Sequence, residues 1–257
     1  MKNFINKKYL NKVVIDKISK EFNSRNPISY YVFDDFIKPE VYNLVESELS
    51  LIKDFNVIDK RINHFINNKT ILLNSINFSK LYNFFISEDF ENFLQIIYKK
   101  ELKKYRKITS EFLEEKIGIK KSGVVQIYEK GDFMGWHTDI AKDMEREKLY
   151  NKGGFIEWDK CIVTKFDEVG AFIYYIYNSD NNWDSSKGGV LEMGKIEGND
   201  IVPYKEVFPL RNRLVIIKSS NKSYHRVTEV LGDLDFRVTI QDLLFNKYAE
   251  IGEEIMY

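Results

Sequence analysis

Cysteine is nearly absent from this chain of 257 residues, with Cys161 the single copy. No disulfide can form within the chain, and a chain this long needs none to hold a core. Net charge is absent as well, because 39 lysine and arginine residues balance 39 aspartate and glutamate residues. That balance argues against a protein that works on nucleic-acid backbone, which needs clustered positive charge. Long apolar runs are missing too. The longest spans about Ala171 to Tyr177, far short of the roughly 18 residues needed to cross a bilayer. The opening MKNFINKKYLNKVV interleaves lysines with apolar residues and has no continuous apolar stretch of the signal-peptide kind. The expectation is a soluble, cytoplasmic protein with no nucleic-acid or membrane partner. What the chain does have is 15% aromatic and 44% hydrophobic residues, enough to build a core and to exclude long-range disorder.

The texture changes along the chain. The first half reads as mainly helical. Ile28 to Phe36 (ISYYVFDDF) is rich in aromatic and β-branched residues and predicts a strand. Pro39 then suits a helix start, since its missing N–H would be unpaired there anyway. Val41, Leu44, Val45, Leu49 and Ile52 follow at helical spacing and predict one buried stripe. Ser87 is a good N-cap for a second helix with Phe90, Phe93, Leu94 and Ile97 on one face. A third helix is expected over 110–117, and residues 59–77 fit neither period. From Gly123 onward the runs VVQIY, AFIYYIY, VLEM, RLVIIKS, HRVTEV and FRVTIQDLLF are separated by Gly, Asp and Asn clusters. Short strands at this spacing predict a sandwich, jelly roll or barrel. Lys142 to Glu168 is charged and irregular, an insertion that suits either a lid or a plain solvated loop.

Three histidines, His64, His137 and His225, are all the chain offers. In GDFMGWHTDI, His137 and Asp139 stand two apart, so a strand would turn both to one face. His225 lies just past the apolar strand RLVIIKS. Two imidazoles and a carboxylate on one face of an ion leave positions open, the arrangement of non-haem Fe(II) oxygenases. The same three ligands could serve a zinc hydrolase, and a histidine can be structural. Arg237, one strand beyond His225, adds a guanidinium suited to grip a carboxylate with two parallel hydrogen bonds. Trp136 should face away from His137 by strand alternation. His64 and Cys161 have no companions at ligand spacing.

The blocks YEKGDFMGWHTD, AFIYYIYNSDNNWDSSKGGVLEM, RNRLVIIKSSNKSYHRVTEV and FRVTI, in this order, resemble the Fe(II)/2-oxoglutarate-dependent dioxygenases, specifically the prolyl-4-hydroxylase-like branch. The resemblance runs from about Gly123 to Phe245, and more faintly over YYVFDDFIKPEVYNLVESEL. It implies an α+β fold with a double-stranded β-helix (jelly roll) core and supporting N-terminal helices. The implied division is a helical support over 1–122, a catalytic core over 123–245 and a tail over 246–257. His137, Asp139 and His225 fall on the family's iron ligands, and Arg237 on its 2-oxoglutarate carboxylate clamp. Tyr175 matches a tyrosine that helps bind that carboxylate, and Tyr128 one near the metal. Trp183, Gly188 and Gly189 also match, as a pocket wall and a turn needing positive φ. Fe(II), 2-oxoglutarate and O2 are the implied cofactor and cosubstrates, with ascorbate an optional reductant. Because the carboxylate ligand Asp139 is present, hydroxylation is implied rather than halogenation. The implied substrate is a small molecule or peptide: a free amino acid or short peptide, with a peptidyl proline in a protein as the alternative. A β-helix module without chemistry is the remaining reading, and it leaves the intact ligand set and arginine unexplained.

Overall fold

The computed structural model describes residues 4–62, 65–73, 75–100, 102–104, 125–138, 168–180, 182–220 and 222–246. The expected helix over 110–117, His64, Asp139, Cys161 and the insertion up to its last residue lie outside them. Four helices are described: α1 (Lys12–Ser24), α2 (Pro39–Leu49), α3 (Ile76–Phe85) and α4 (Glu88–Tyr98). Side-chain caps start three of them. Asn11 accepts from the amides of Val13 and Val14, Ser75 from Phe78, and Ser87 from Phe90. Three acidic residues in the first turn of α4 complement its dipole. As expected, α2 begins at Pro39 and α4 buries Phe90, Phe93, Leu94 and Ile97 completely.

The stripe of α2 differs from expectation: Leu44 is half exposed, Val41 is only half-buried, Ile52 lies past the helix end at Leu49, and Tyr42 is buried. The Tyr42 hydroxyl donates to the carbonyl of Ile176 at 2.7 Å. A large aromatic anchored to the sheet rotates the buried stripe to Tyr42, Val45 and Leu49. The segment 59–77 that fitted neither period holds the end of β2 (Asn56–Ile62) and β3 (Ile66–Leu72), which pair as a hairpin.

The remaining strands are β1 (Tyr30–Phe33), β4 (Leu102–Lys104), β5 (Val125–Glu129), β6 (Phe133–His137), β7 (Glu168–Asn178), β8 (Leu191–Glu197), β9 (Asp200–Val207), β10 (Arg213–Lys218), β11 (Tyr224–Val227) and β12 (Phe236–Asn246). They form one curled antiparallel sheet in the order β1-β10-β7-β12-β5-β3-β6-β11-β8-β9, with β2 added to β3 and β4 to β12. This is the jelly-roll-like half-barrel the sequence implied. β3 links two parts of the sheet, pairing with β5 through Lys69 to Ile71 and with β6 through Ile66 and Asn67.

Strand alternation gives the sheet two unlike faces. Val125, Ile127, Phe172, Tyr174, Ile176, Leu214, Ile216, Val238 and Ile240 pack against the helices in the main core. Phe85, Phe90 and Phe172 pack there with centroids 4.9 to 5.8 Å apart, Phe85 stacked on Phe172 and Phe90 edge-on to both. Burying each such ring stabilises by roughly 1.5–3 kcal/mol. On the opposite, inner face stand Gln126, Tyr128, Ile173, Tyr175, Val215, Arg237 and Thr239. Leu191, Met193 and Val207 from β8 and β9 join the apolar part of that layer.

Candidate active site

β6 and β11 lie side by side, and their register puts His137 directly opposite His225. The imidazole centroids are 4.2 Å apart. Each ring is oriented the same way, with Nδ1 against the carbonyl two residues earlier: Gly135 for His137 at 2.8 Å, and Ser223 for His225 at 3.0 Å. A carbonyl can only accept, so each Nδ1 carries the proton and each Nε2 carries the lone pair. In that tautomer Nε2 is the nitrogen through which each ring could bind a metal. The Gly135 amide in turn donates to the Phe65 carbonyl at 2.8 Å, and the Phe65 ring stands edge-on to His137. A Cβ at Gly135 would come within 2.9 Å of that ring, so only glycine allows the approach.

Trp136 packs under the guanidinium of Arg226, which donates to Glu192 at 2.6 Å. It acts as a packing residue, as strand alternation suggested. Among the described residues no three His, Cys, Asp or Glu side chains cluster. The carboxylate that the sequence offers as the third ligand, Asp139, lies outside them.

Arg237 sits across the inner face on β12, opposite Tyr128 of β5 and Asn178 of β7. It is 1% exposed, the largest fully buried side chain described. Its guanidinium lies 4.3 Å from the Tyr128 ring centroid and 5.4 Å from that of Tyr175. Stacking on two aromatic faces offsets part of the cost of burying the cation. It does not satisfy its donors: Nε and Nη1 are buried without a hydrogen-bond acceptor, and the Tyr175 hydroxyl is buried without a partner as well. An unpaired buried donor on a charged group is costly, so this constellation asks for an anion.

Burial raises the pKa of both Tyr128 and Tyr175, and the positive charge of Arg237 opposes the shift in each. Both phenols therefore stay protonated at neutral pH, as hydrogen-bond donors. The Tyr175 oxygen feels the guanidinium's charge without meeting it in hydrogen-bonding geometry.

A third wall comes from residues 183–190. Trp183 is buried, with its indole N–H donating to the Gly188 carbonyl at 2.8 Å. Gly188 and Gly189 both have positive φ, as expected, and a Cβ on Gly188 would lie 1.7 Å from the Glu229 carbonyl oxygen. A Cβ on Gly189 would sit 3.7 Å from the Arg237 side chain, which places this turn beside the guanidinium.

The structure thus brings His137 to His225, and Tyr128 and Tyr175 to Arg237, on the inner side of one half-barrel. Two imidazole lone pairs suit a divalent metal, and orphaned cationic donors suit a carboxylate. An iron ion with an acidic keto-acid cosubstrate fits that donor set. Sequence reasoning missed three polar residues of the same face: Asn68, Gln126 and Thr239, all buried. The only signal for them was their position two residues from, or across the ladder from, a residue already singled out.

Residues 123–242 match the 2OG-Fe(II) oxygenase superfamily. Among solved structures, a prolyl-4-hydroxylase from Pseudomonas putida is similar at 10% identity, covering 90% of this chain and 99% of that one, with a TM-score of 0.53. The non-haem alpha-ketoglutarate-dependent epimerase SnoN from nogalamycin biosynthesis is similar at 6% identity, covering 95% and 87%, with a TM-score of 0.54. These two likenesses show the fold. The family match makes the segment that carries both histidines and Arg237 similar to the 2OG-Fe(II) oxygenase superfamily. The matched segment coincides with the stretch from about Gly123 over which the sequence resembles the Fe(II)/2-oxoglutarate-dependent dioxygenases.

Proposed function

We propose that the protein is a dioxygenase that hydroxylates an unactivated C–H bond of a free amino acid or short peptide. In this reading His137, Asp139 and His225 hold the iron, while Arg237 and Tyr175 hold the distal carboxylate of 2-oxoglutarate. Tyr128 lies beside both. Bound iron supplies the coupling of 2-oxoglutarate decarboxylation to hydroxylation, with succinate and CO2 as products. The chain's own part is orientation and exclusion of water. The paired Nδ1–carbonyl bonds fix both imidazoles as metal-facing bases, and Arg237 holds the cosubstrate in a dry layer where its charge is weakly screened. The observation that carries the reading is the fully buried Arg237 with two donors unmet beside the unmet Tyr175 hydroxyl.

Anaerobic protein loaded with Fe(II) is expected to develop a visible charge-transfer band when 2-oxoglutarate is added. Absence of the band at full iron loading contradicts the reading. For the substrate, a panel of free amino acids, short peptides and a prolyl-containing protein is scored by succinate release. Stimulation by a free amino acid or short peptide is expected, and stimulation by the protein alone moves the assignment to a peptidyl-prolyl hydroxylase.

A further inference from the structure

β3 is the strand that joins the two halves of the sheet, and its inner-face residue Asn68 is 1% exposed. It follows directly on the Lys69–Ile127 pair, which sets it beside Tyr128. Its Nδ2 donates to the Tyr128 hydroxyl at 3.0 Å, and that hydroxyl points on to Gln126 Oε1 at a long 3.3 Å. The other amide atom, Oδ1, is buried without any partner. A helix-side counterpart behaves differently: buried Asn212 uses Oδ1 for Tyr174 and Ile37 and Nδ2 for the Ile37 carbonyl. Asn68 is half-satisfied where Asn212 is fully satisfied.

The orphaned groups around Tyr128 define what is missing. Arg237 Nε and Nη1 and the Tyr175 hydroxyl are donors awaiting acceptors. A keto dicarboxylate brings acceptors only, so an amide oxygen turned toward it would repel it. Rotation of the Asn68 amide by half a turn removes the conflict. Oδ1 then accepts the Tyr128 proton, replacing the long contact to Gln126, and Nδ2 takes the position of the orphaned atom as one more donor. Tyr128 has a partner in both orientations, so the rotation leaves it held.

We propose that Asn68 is a further cosubstrate-binding residue, whose side-chain amide turns on ligand entry to donate to an acceptor oxygen of 2-oxoglutarate while its carbonyl fixes the Tyr128 hydroxyl. This rests on the oxygenase reading above. It assigns to β3, outside the matched segment 123–242, a direct part in binding.

The test is calorimetric binding of 2-oxoglutarate to protein loaded with Mn(II), which sustains no turnover. Wild type, Asn68→Leu, Tyr128→Phe and the double variant are compared. One hydrogen bond to a charged acceptor corresponds to roughly a tenfold change in affinity. Asn68→Leu is expected to weaken 2-oxoglutarate about tenfold in both backgrounds, with Mn(II) affinity within a few-fold of wild type. If the loss disappears in the Tyr128→Phe background, Asn68 acts only through Tyr128 and the proposal fails. It fails equally if Asn68→Leu binds as wild type does, or if Mn(II) binding falls together with the cosubstrate. Asn68→Asp keeps the shape and the acceptor but has no donor. It should lose at least as much as Asn68→Leu, and retained affinity overturns the assignment even if the leucine variant does not fold. Should wild type itself bind no 2-oxoglutarate, the oxygenase reading falls and the role of Asn68 falls with it, whereas wild-type binding with unchanged Asn68 variants overturns the role of Asn68 alone.

Discussion

The two faces of the same strands have opposite economies. On the helix side, Tyr174 donates to Asn212 at 2.9 Å and Tyr42 to the Ile176 carbonyl, so both of these buried phenols have partners. One residue along on β7, Tyr175 has none, and across the ladder Arg237 leaves two donors unmet. The helix-side phenols are satisfied within the fold, whereas the cation and the phenol of the inner face are left with donors unmet. A protein that leaves a buried cation unpaired gives up stability there, the pattern expected of a binding site.

The contrast breaks most visibly at the histidines. Replacing His137 or His225 by Ala removes an inner-face imidazole without opening the helix-side core. Turnover and iron affinity should fall by at least about 100-fold, beyond the 10–100-fold typical of an outer-shell partner, with thermal unfolding little changed. Iron titration and circular dichroism check this together, and iron binding that survives His225→Ala but not His64→Ala would show the pairing to be the wrong one.

The converse substitution belongs on the other face. Phe90 is fully buried among Phe85, Phe93 and Phe172. Phe90→Ala should cost about 3–5 kcal/mol of stability, read by denaturant unfolding. The protein that remains folded should bind 2-oxoglutarate as wild type does. A binding defect in that fraction would mean the faces are not independent.

A smaller effect separates the tyrosines by pH. Tyr42, Tyr128, Tyr174 and Tyr175 all have pKa values raised, chiefly by burial, from the ordinary 10.0. The unfolded chain therefore loses these protons first, and stability present below pH 10.0 should decline as pH rises above it. Only Tyr128 and Tyr175 feel Arg237. Arg237→Gln should push their ionisation higher and leave Tyr174 unmoved, which absorbance titration of single Tyr→Phe variants can resolve.

How much of this was legible in the sequence depended on the same two faces. α4 could be read from Ser87 and its phenylalanines because its buried positions are apolar at helical spacing. β2 and β3 could not be read, because the strand INNKTIL buries Asn68 and Thr70. An inner face that is polar by function inverts the hydrophobic alternation on which strand prediction rests. α1 and α3 carried cap signals at Asn11 and Ser75, but the β-type residues of KVVIDKIS and INFSKLYNFF obscured them. The pairing of His137 with His225 rested on the resemblance, since their spacing alone fixes no register. The unmet donors of Arg237 are a property of three-dimensional packing that no spacing expresses.

The most direct test of the account is a 2-oxoglutarate titration of wild type and Arg237→Gln at saturating Fe(II) without oxygen. Losing one partner of a buried charge pair costs about 2–5 kcal/mol, roughly 30-fold to several thousand-fold in affinity. The account predicts a curve displaced by that amount, with iron affinity close to wild type because the histidines are untouched. Superimposable curves would contradict it, and would make Arg237 a buried strand residue with no carboxylate to hold.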